Sequence, residues 1–292
     1  MPDDFYVVVG ENRRLLREVK ELRARVTALE SSRWWRVHPR FLLRRLSKPA
    51  AASEGAVAAP EAVPTAAAQD DDPLLARFRR EVVARGSFRD EQSVANARTW
   101  EQFLQQLEGR EARILEIGSF EGMSACYFLW RLPDAHVTCV DTFAGASSFV
   151  ARGDDVSGLE AAFDRNVGLV DASRVRKIAA DSAHALLELL DEGQRFDLVF
   201  VDGSDLALDV MVDACLSWQL LAPGGVMIFD NYIWRSPLGE DPLFQPKPAV
   251  DAFLGLVGRN CQVITMSKEA IVQRVELAAQ SNGDGALAET AP

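Results

Sequence analysis

Histidine and cysteine, the residues behind most soft-metal and thiol chemistry, are scarce here: three and four respectively in 292 residues. Cys126, Cys139, Cys215 and Cys261 are widely spaced, lie in apolar segments and form no CxxC pair. Buried thiols in a reducing compartment are therefore expected, rather than disulfides or a zinc site. No apolar run reaches the ~18 residues that a membrane span needs. The N-terminus is polar and basic with no apolar signal core, so secretion is not expected and a cytoplasmic chain is. A GxGxxG fingerprint is absent as well, which counts against a nicotinamide-dependent oxidoreductase.

What is present is unevenly charged. The net charge is −11, yet residues 1–48 hold 12 Lys/Arg against 6 Asp/Glu. The acidic body disfavours nucleic acid, while the basic arm suits an anionic surface or an acidic protein. Within residues 1–32, Val8, Asn12, Leu15, Val19, Leu22, Val26 and Leu29 alternate steps of four and three. Leu15, Leu22 and Leu29 fall at heptad position d, and Val19 and Val26 at a. This pattern predicts a parallel two-stranded coiled coil and so a homodimer, with Asn12 setting register. An amphipathic helix packed on its own domain is the alternative. Residues 33–48, RWWRVHPRFLLRRLSK, carry six cations, no acids and interleaved Trp34, Trp35, Phe41 and Leu residues. That composition suits peripheral contact with a membrane surface; a docking segment for a partner or for the domain itself fits equally. The stretch is also similar to the Ser-x-x-Trp-Arg…Pro…Arg segment that follows coiled coils in bacterial surface-glycan glycosyltransferases. Residues 49–72 are rich in Ala, Pro and acids and predict a flexible linker. The domain proper is expected over 73–277, and a disordered tail over 278–292.

Two helical segments, near 73–85 and 90–108, precede an alternation of strand-like and helix-like runs. Strands are predicted at 112–118, 136–141, 174–179, 196–202, 225–230, 261–266 and 270–276. Helices are predicted at 121–131, 158–168, 182–191, 207–220 and 247–259. This order predicts an α/β, Rossmann-like, doubly wound sheet of seven strands, its last two forming an antiparallel hairpin at a sheet edge. The organising stretch is RILEIGSFEG, residues 113–122. Its buried strand, glycine turn and following helix make a first βα unit, where backbone N–H groups can hold a ligand. Glu116 is the oddity, an acid inside an apolar strand.

The other acids fall at strand ends. Asp141 closes the second strand, roughly 20 residues past the glycine turn, where an acid can accept from ribose hydroxyls. Asp181, with Ser182, stands where the third strand meets its helix; it can accept from an adenine amino group or cap the helix. Asp202 closes the fourth strand, and Asp230 with Asn231 closes the fifth. Parallel neighbours bring these ends together, and two carboxylates with one amide carbonyl suit an octahedral Mg²⁺. Simple capping of the following helices is the alternative. Trp100, Trp130 and Trp218 lie on helical stretches and are expected in the core. Phe143, Arg152, Tyr232, Trp234 and Arg235 follow strand ends and could meet an acceptor, with 143–158 as an acceptor-side loop.

Taken together, Leu115–Gly122, Val140–Phe143, Asp181–Ser182, Asp202–Gly203, Ala222–Gly225 and Asp230–Tyr232 resemble the class I S-adenosylmethionine-dependent methyltransferases. More narrowly, residues 85–277 resemble the macrocin/mycinamicin-type sugar O-methyltransferases, with a further likeness to catechol-type enzymes. The resemblance implies that Glu116, Gly118, Ser119 and Gly122 line the methionine end of S-adenosylmethionine. It likewise implies ribose at Asp141, adenine near Asp181 and Ser182, and Mg²⁺ on Asp202, Asp230 and Asn231. Two departures stand out. Where relatives read Asp-Gly-x-His, this chain reads Asp202-Gly203-Ser204-Asp205, making Asp205 the candidate base and His184 the reserve. Where relatives often carry two consecutive acids, this chain has Asp230-Asn231, as catechol-type enzymes do. The acceptor implied is a sugar hydroxyl of a glycan or glycosylated metabolite. The rivals are a catechol or phenol acceptor, or a coiled-coil scaffold whose domain binds the donor without turnover.

Overall fold

The computed structural model describes residues 72–89, 94, 96–145, 154–235 and 239–275. The expected coiled coil at 1–32, the basic arm at 33–48, the tail at 278–292 and all of the linker except Asp72 lie outside them. Asp72 itself begins the domain rather than ending a linker. Its Oδ1 accepts from Leu74 N at 2.9 Å, and Pro73 occupies the first helical position, so the residue is an N-cap.

The helices are α1 (Pro73–Glu81), α2 (Ala97–Leu107), α3 (Met123–Arg131), α4 (Leu159–Val167), α5 (Ser182–Asp191), α6 (Ala207–Leu220) and α7 (Pro246–Val257). The strands are β1 (Arg113–Ile117), β2 (His136–Asp141), β3 (Val175–Ala179), β4 (Phe196–Val201), β5 (Leu221–Phe229), β6 (Cys261–Met266) and β7 (Ala270–Arg274). They form one seven-stranded sheet in the order β3-β2-β1-β4-β5-β7-β6. The first five strands run parallel, and β7 is antiparallel to both β5 and β6. The expected antiparallel hairpin is present at the sheet edge. Its second strand inserts beside β5 and leaves β6 outermost. Burial explains the choice: Ala270, Ile271 and Val272 are inaccessible, whereas β6 exposes Val263 and Met266.

Alternation along β1 builds both sides of the core. Ile114 faces the layer with Trp100, Phe128 and Phe200, while Leu115 and Ile117 face the layer with Val199, Val210 and Phe253. Trp100 is fully buried, with ring centroids 5.3 Å from Phe128 and 5.1 Å from Phe200. Truncating such a ring costs about 3–5 kcal/mol. Trp218 packs against Phe253 at 5.7 Å. Strand β5 starts at Leu221, earlier than the Pro-Gly-Gly signal implies, because Leu221 pairs with Phe196 before the register shifts at Leu198. Among the described residues, no helix is long and apolar enough to cross a membrane.

The backbones of β1 and β4 approach most closely just beyond their last paired residues. Gly118 has φ +86°, and a Cβ there would lie 2.1 Å from the Asp202 carbonyl oxygen and 2.6 Å from Gly203 Cα. Backbone cannot yield as a flexible side chain does. Gly118→Ala is therefore expected to destabilise the fold by about 2–4 kcal/mol. A urea unfolding midpoint equal to wild type would contradict this account of the turn.

Candidate active site

The strand order reverses at β1 and β4, since β1 continues to β2 on one side and the chain returns to β4 on the other. Ligands of open α/β sheets sit in the crevice at such a switch point, outside the carboxyl ends of the strands. Gly118 N donates to Val140 O at 2.8 Å and Asp202 N to Ile117 O at 2.8 Å, which laces three strand ends together. Asp141 is then clamped from two sides. Phe120 N reaches its Oδ2 and Phe143 N its Oδ1, each at 2.7 Å. Both phenylalanines adopt left-handed φ, 45° and 52°, a conformation that costs a non-glycine residue about 1–3 kcal/mol. Each carboxylate oxygen has two lone pairs, so both amides can be satisfied while acceptor capacity remains for hydroxyl donors.

Behind the turn, Glu116 is fully buried. Its Oε1 accepts from Ser124 Oγ at 2.5 Å, and its Oε2 has no hydrogen-bond partner among the described residues. Burial pushes this carboxyl up; Ser119, Ser124 and Cys139 partly oppose the shift. Ser119 lies close enough to act on the charge, yet its own buried Oγ meets no acceptor at hydrogen-bonding geometry. Gly122 opens α3 at φ +80° with no side-chain cap, leaving the first N–H groups of that helix unclaimed by a side chain. A Cβ at Gly122 would meet the Phe163 ring at 3.0 Å. At the third strand end, Asp181 is exposed and its side chain makes no capping hydrogen bond. The capping alternative for Asp181 thus has no bond to support it. Ser182 instead donates to Asp213 Oδ1 on α6 at 2.6 Å.

At the β4 and β5 ends, acids gather. Asn231 Nδ2 donates to Asp202 Oδ1 at 2.5 Å, so the amide and the first carboxylate are in direct contact. Asp230 Oδ1 is buried and lacks a partner. A third acid, unforeseen from the sequence, arrives from the turn of the β6–β7 hairpin. Glu269 is 2% exposed, with Oε2 accepting from Thr99 Oγ1 at 2.7 Å and Oε1 from Trp100 Nε1 at 2.8 Å. Burial, and then Asp230, Glu116, Asp205 and Glu269, raise the Asp202 carboxyl well above its ordinary value. Burial and then Glu269 do the same to Asp230. Asp202 and Asp230 keep some surface open to the cleft, but dense protein surrounds both carboxyls. Only the insertion of β7 brings Glu269 to this rim; the local signal was a lone acid directly before the apolar run of β7.

The donor set fits a hard cation. Two carboxylates, one of them with the orphaned Oδ1 of Asp230, and an amide oxygen after reorientation of Asn231 are oxygen ligands whose mutual repulsion a divalent charge would relieve. Among the described residues, however, no three His, Cys, Asp or Glu side chains stand close enough to hold a metal alone. Asn231 and solvent or substrate oxygens would have to complete the shell.

Asp205 is half-buried in the turn after β4, where its charge acts on Asp202. His184 is 64% exposed on α5 and pairs with Glu188 at 3.1 Å. His136 opens β2 at the opposite end of the sheet. Neither described histidine reaches the rim. Phe143, expected among acceptor contacts, packs against Phe163 at 5.3 Å and is 9% exposed. Tyr232 is fixed by Asp251 at 2.7 Å and Lys247 at 2.6 Å, whereas Ile233, Trp234 and Arg235 are exposed beside it. Arg152 lies outside the described residues. An open cleft of about 530 Å³, lined by Thr142, Phe143, Val156, Gly158, Leu159 and Asp164, adjoins the Asp141 turn.

Residues 115–232 match the family model described as a methyltransferase domain. The fold is similar to that of "MycE Methyltransferase from the Mycinamycin Biosynthetic Pathway in Complex with Mg, SAH, and Mycinamycin VI", with 15% identity and a TM-score of 0.50. That likeness covers 71% of this chain and 54% of the other, so the chain spans about half the length of the MycE protein it matches. Cofactor-bound Rv0187 from MTB is similar at 20% identity and TM-score 0.49, over 71% of this chain and 92% of that one. A putative O-methyltransferase from Klebsiella pneumoniae is similar at 20% identity and TM-score 0.46, over 70% and 91%. No curated protein matches the sequence. The family match and the sheet that carries it identify a methyltransferase domain over residues 115–232 of the chain.

Proposed function

We propose that this methyltransferase is an O-methyltransferase, assisted by Mg²⁺, that acts on a sugar hydroxyl of a glycan or glycosylated metabolite. One observation carries the reading: Asp202 and Asp230, half-buried and raised by burial and by neighbouring acids, stand on adjacent strand ends with Asn231 in contact, beside the Gly118 turn. In this reading Glu116, Gly118, Ser119 and Gly122 form the methionine end of the donor site. Asp141, held by two backbone amides, accepts from the ribose, and Asp181 with Ser182 borders the adenine. Asp202, Asp230 and Asn231 would hold Mg²⁺, which when bound lowers the pKa of a coordinated hydroxyl and orients it.

The chain's own residues supply the rest. Asp205 takes the hydroxyl proton, in the place where a histidine would otherwise serve. The acceptor oxygen then forms the new O–CH₃ bond as the S–CH₃ bond breaks, and the sulfonium charge is cancelled. Such an in-line displacement gains much of its rate from positioning. Mycinamycin VI accompanies Mg and SAH in the MycE complex, which lends support to a small-molecule acceptor. The N-terminal 32 residues pair two copies, and the basic arm brings the dimer to the inner membrane face of a cytoplasmic glycan-assembly site. The lack of a histidine on the described rim favours a second reading, a scaffold that binds donor without turnover, and the same experiments decide between the two.

Calorimetry is expected to show S-adenosylmethionine binding and no NAD binding. Turnover over a panel of sugar nucleotides, oligosaccharides and catechols should appear with a sugar acceptor and vanish with EDTA. Activity on catechols alone would reassign the acceptor, and tight donor binding with no methyl transfer to any acceptor class would favour the scaffold. Asp205→Asn should cut turnover at least tenfold with donor affinity intact; unchanged turnover removes Asp205 from the mechanism. A third expectation concerns pH. Asp202 and Asp230 have folded-state pKa values above their unfolded ones. The folded state therefore binds protons that the unfolded state has released, and metal-free stability falls as pH rises above the ordinary carboxylate range. Asp230→Asn should flatten that fall and melt above wild type at pH 8 in EDTA; parallel melting curves from pH 5 to 8 would contradict the assignment of those shifts.

A further inference from the structure

Asp213 is a buried acid for which the reaction described above has no use. It sits within α6, 2% exposed, and its Oδ1 receives the hydroxyl of Ser182, the first residue of α5, at 2.6 Å. Its Oδ2 faces the β4–α6 turn, where a carbon placed on Gly203 would lie 3.5 Å from it. Gly203 follows Asp202, whose carbonyl closes on Gly118. Two strand-end turns, after β3 and β4, thus meet at one carboxyl group, and the second of them closes in turn on the β1 turn at Gly118.

The charged groups that act on Asp213 are themselves acids: Asp181 in the β3–α5 turn and Asp209 on its own helix. Burial, with those two neighbours adding to it, pushes the Asp213 carboxyl up to about 7, while Ser182 opposes the shift. An asparagine would accept the same hydroxyl with no buried charge to desolvate. The carboxylate is therefore a liability for stability at neutral pH, of the kind that folds keep where function uses it.

We propose that Asp213 is a positioning residue for the methyl donor, acting through Ser182 to set the β3–α5 turn at the adenine end of the site. The inference rests on the donor placement given under the proposed function. As an ionised acceptor, Asp213 holds Ser182 more strongly than it does when protonated. Stability and donor affinity then respond oppositely to pH. Raising pH through 7 ionises a buried carboxyl and lowers stability, yet tightens the tie to Ser182 and with it donor binding.

The test is calorimetric titration of full-length wild type, D213N, D213A and S182A with S-adenosylmethionine at pH 6, 7 and 8, with thermal melts alongside. Wild type should bind a few-fold more tightly at pH 8 than at pH 6. D213N, which keeps an acceptor for Ser182 but cannot ionise, should lose that step; ionisations of the donor itself are common to both proteins and cancel in their ratio. D213N should also melt above wild type at pH 8. D213A and S182A should each weaken donor binding about tenfold. Should D213A not fold, S182A carries the same comparison. Donor affinity in S182A equal to wild type, or a pH step retained in D213N, overturns the assignment alone. Wild type that binds no donor overturns the donor site itself, and the assignment falls with it.

Discussion

The contact between Gly118 and the Asp202 carbonyl is the constraint on which the rest of the site depends. It holds the ends of β1 and β4 at backbone-to-backbone distance where the strand order reverses, and so leaves a crevice there. The hydrogen bonds from Gly118 to Val140 and from Asp202 to Ile117 extend the same registration to β2. With those ends level, Asp141 can be reached by amides of two different turns at once. The strain at Phe120 and Phe143 is stored against those two bonds, which places it at the strand ends rather than in the core.

Electrostatics works against the fold on the same rim. Glu116, Asp202, Asp230 and Glu269 are drawn into or beside the protein interior, and the groups acting most strongly on the Asp202 charge, after burial itself, are other acids. Hydrogen bonds answer part of the cost, as Thr99 and Trp100 do for Glu269 and Ser124 does for Glu116. The remainder calls for a proton or a cation. In the proposed reaction a cationic donor and a divalent metal would each bring positive charge to this place, so the feature that weakens the empty fold is the one that would favour ligand binding. Asp213 repeats that arrangement one layer down.

Much of the fold was readable from local pattern. The bounds of β2, β6, α5 and α6 agree with the expected ranges residue for residue. The start of β5 was misplaced because Pro223 and two glycines read as a turn, whereas pairing with Phe196 holds the preceding residues in the sheet. Phe143 packs its ring on Phe163 while still lining the cleft beside the Asp141 turn. Asp181 with Ser182 left an adenine contact and a helix cap both open from sequence; Asp181 makes no capping bond, and Ser182 donates its hydroxyl to a residue 31 positions away.

By itself the sequence determined the doubly wound alternation, the donor-type glycine turn and the identity of the strand-end acids. All three follow from short-range periodicity and from which residue types tolerate a tight turn. Tertiary structure alone decided that β7 lies between β5 and β6, that Glu269 joins Asp230, and that Asp213 meets the turns after β3 and β4. Those outcomes depend on which strands find each other across long loops, where the deciding term is how completely Ala270, Ile271 and Val272 are buried between two neighbours. No local pattern encodes such a juxtaposition, because its energy resides in contacts between segments far apart in the chain.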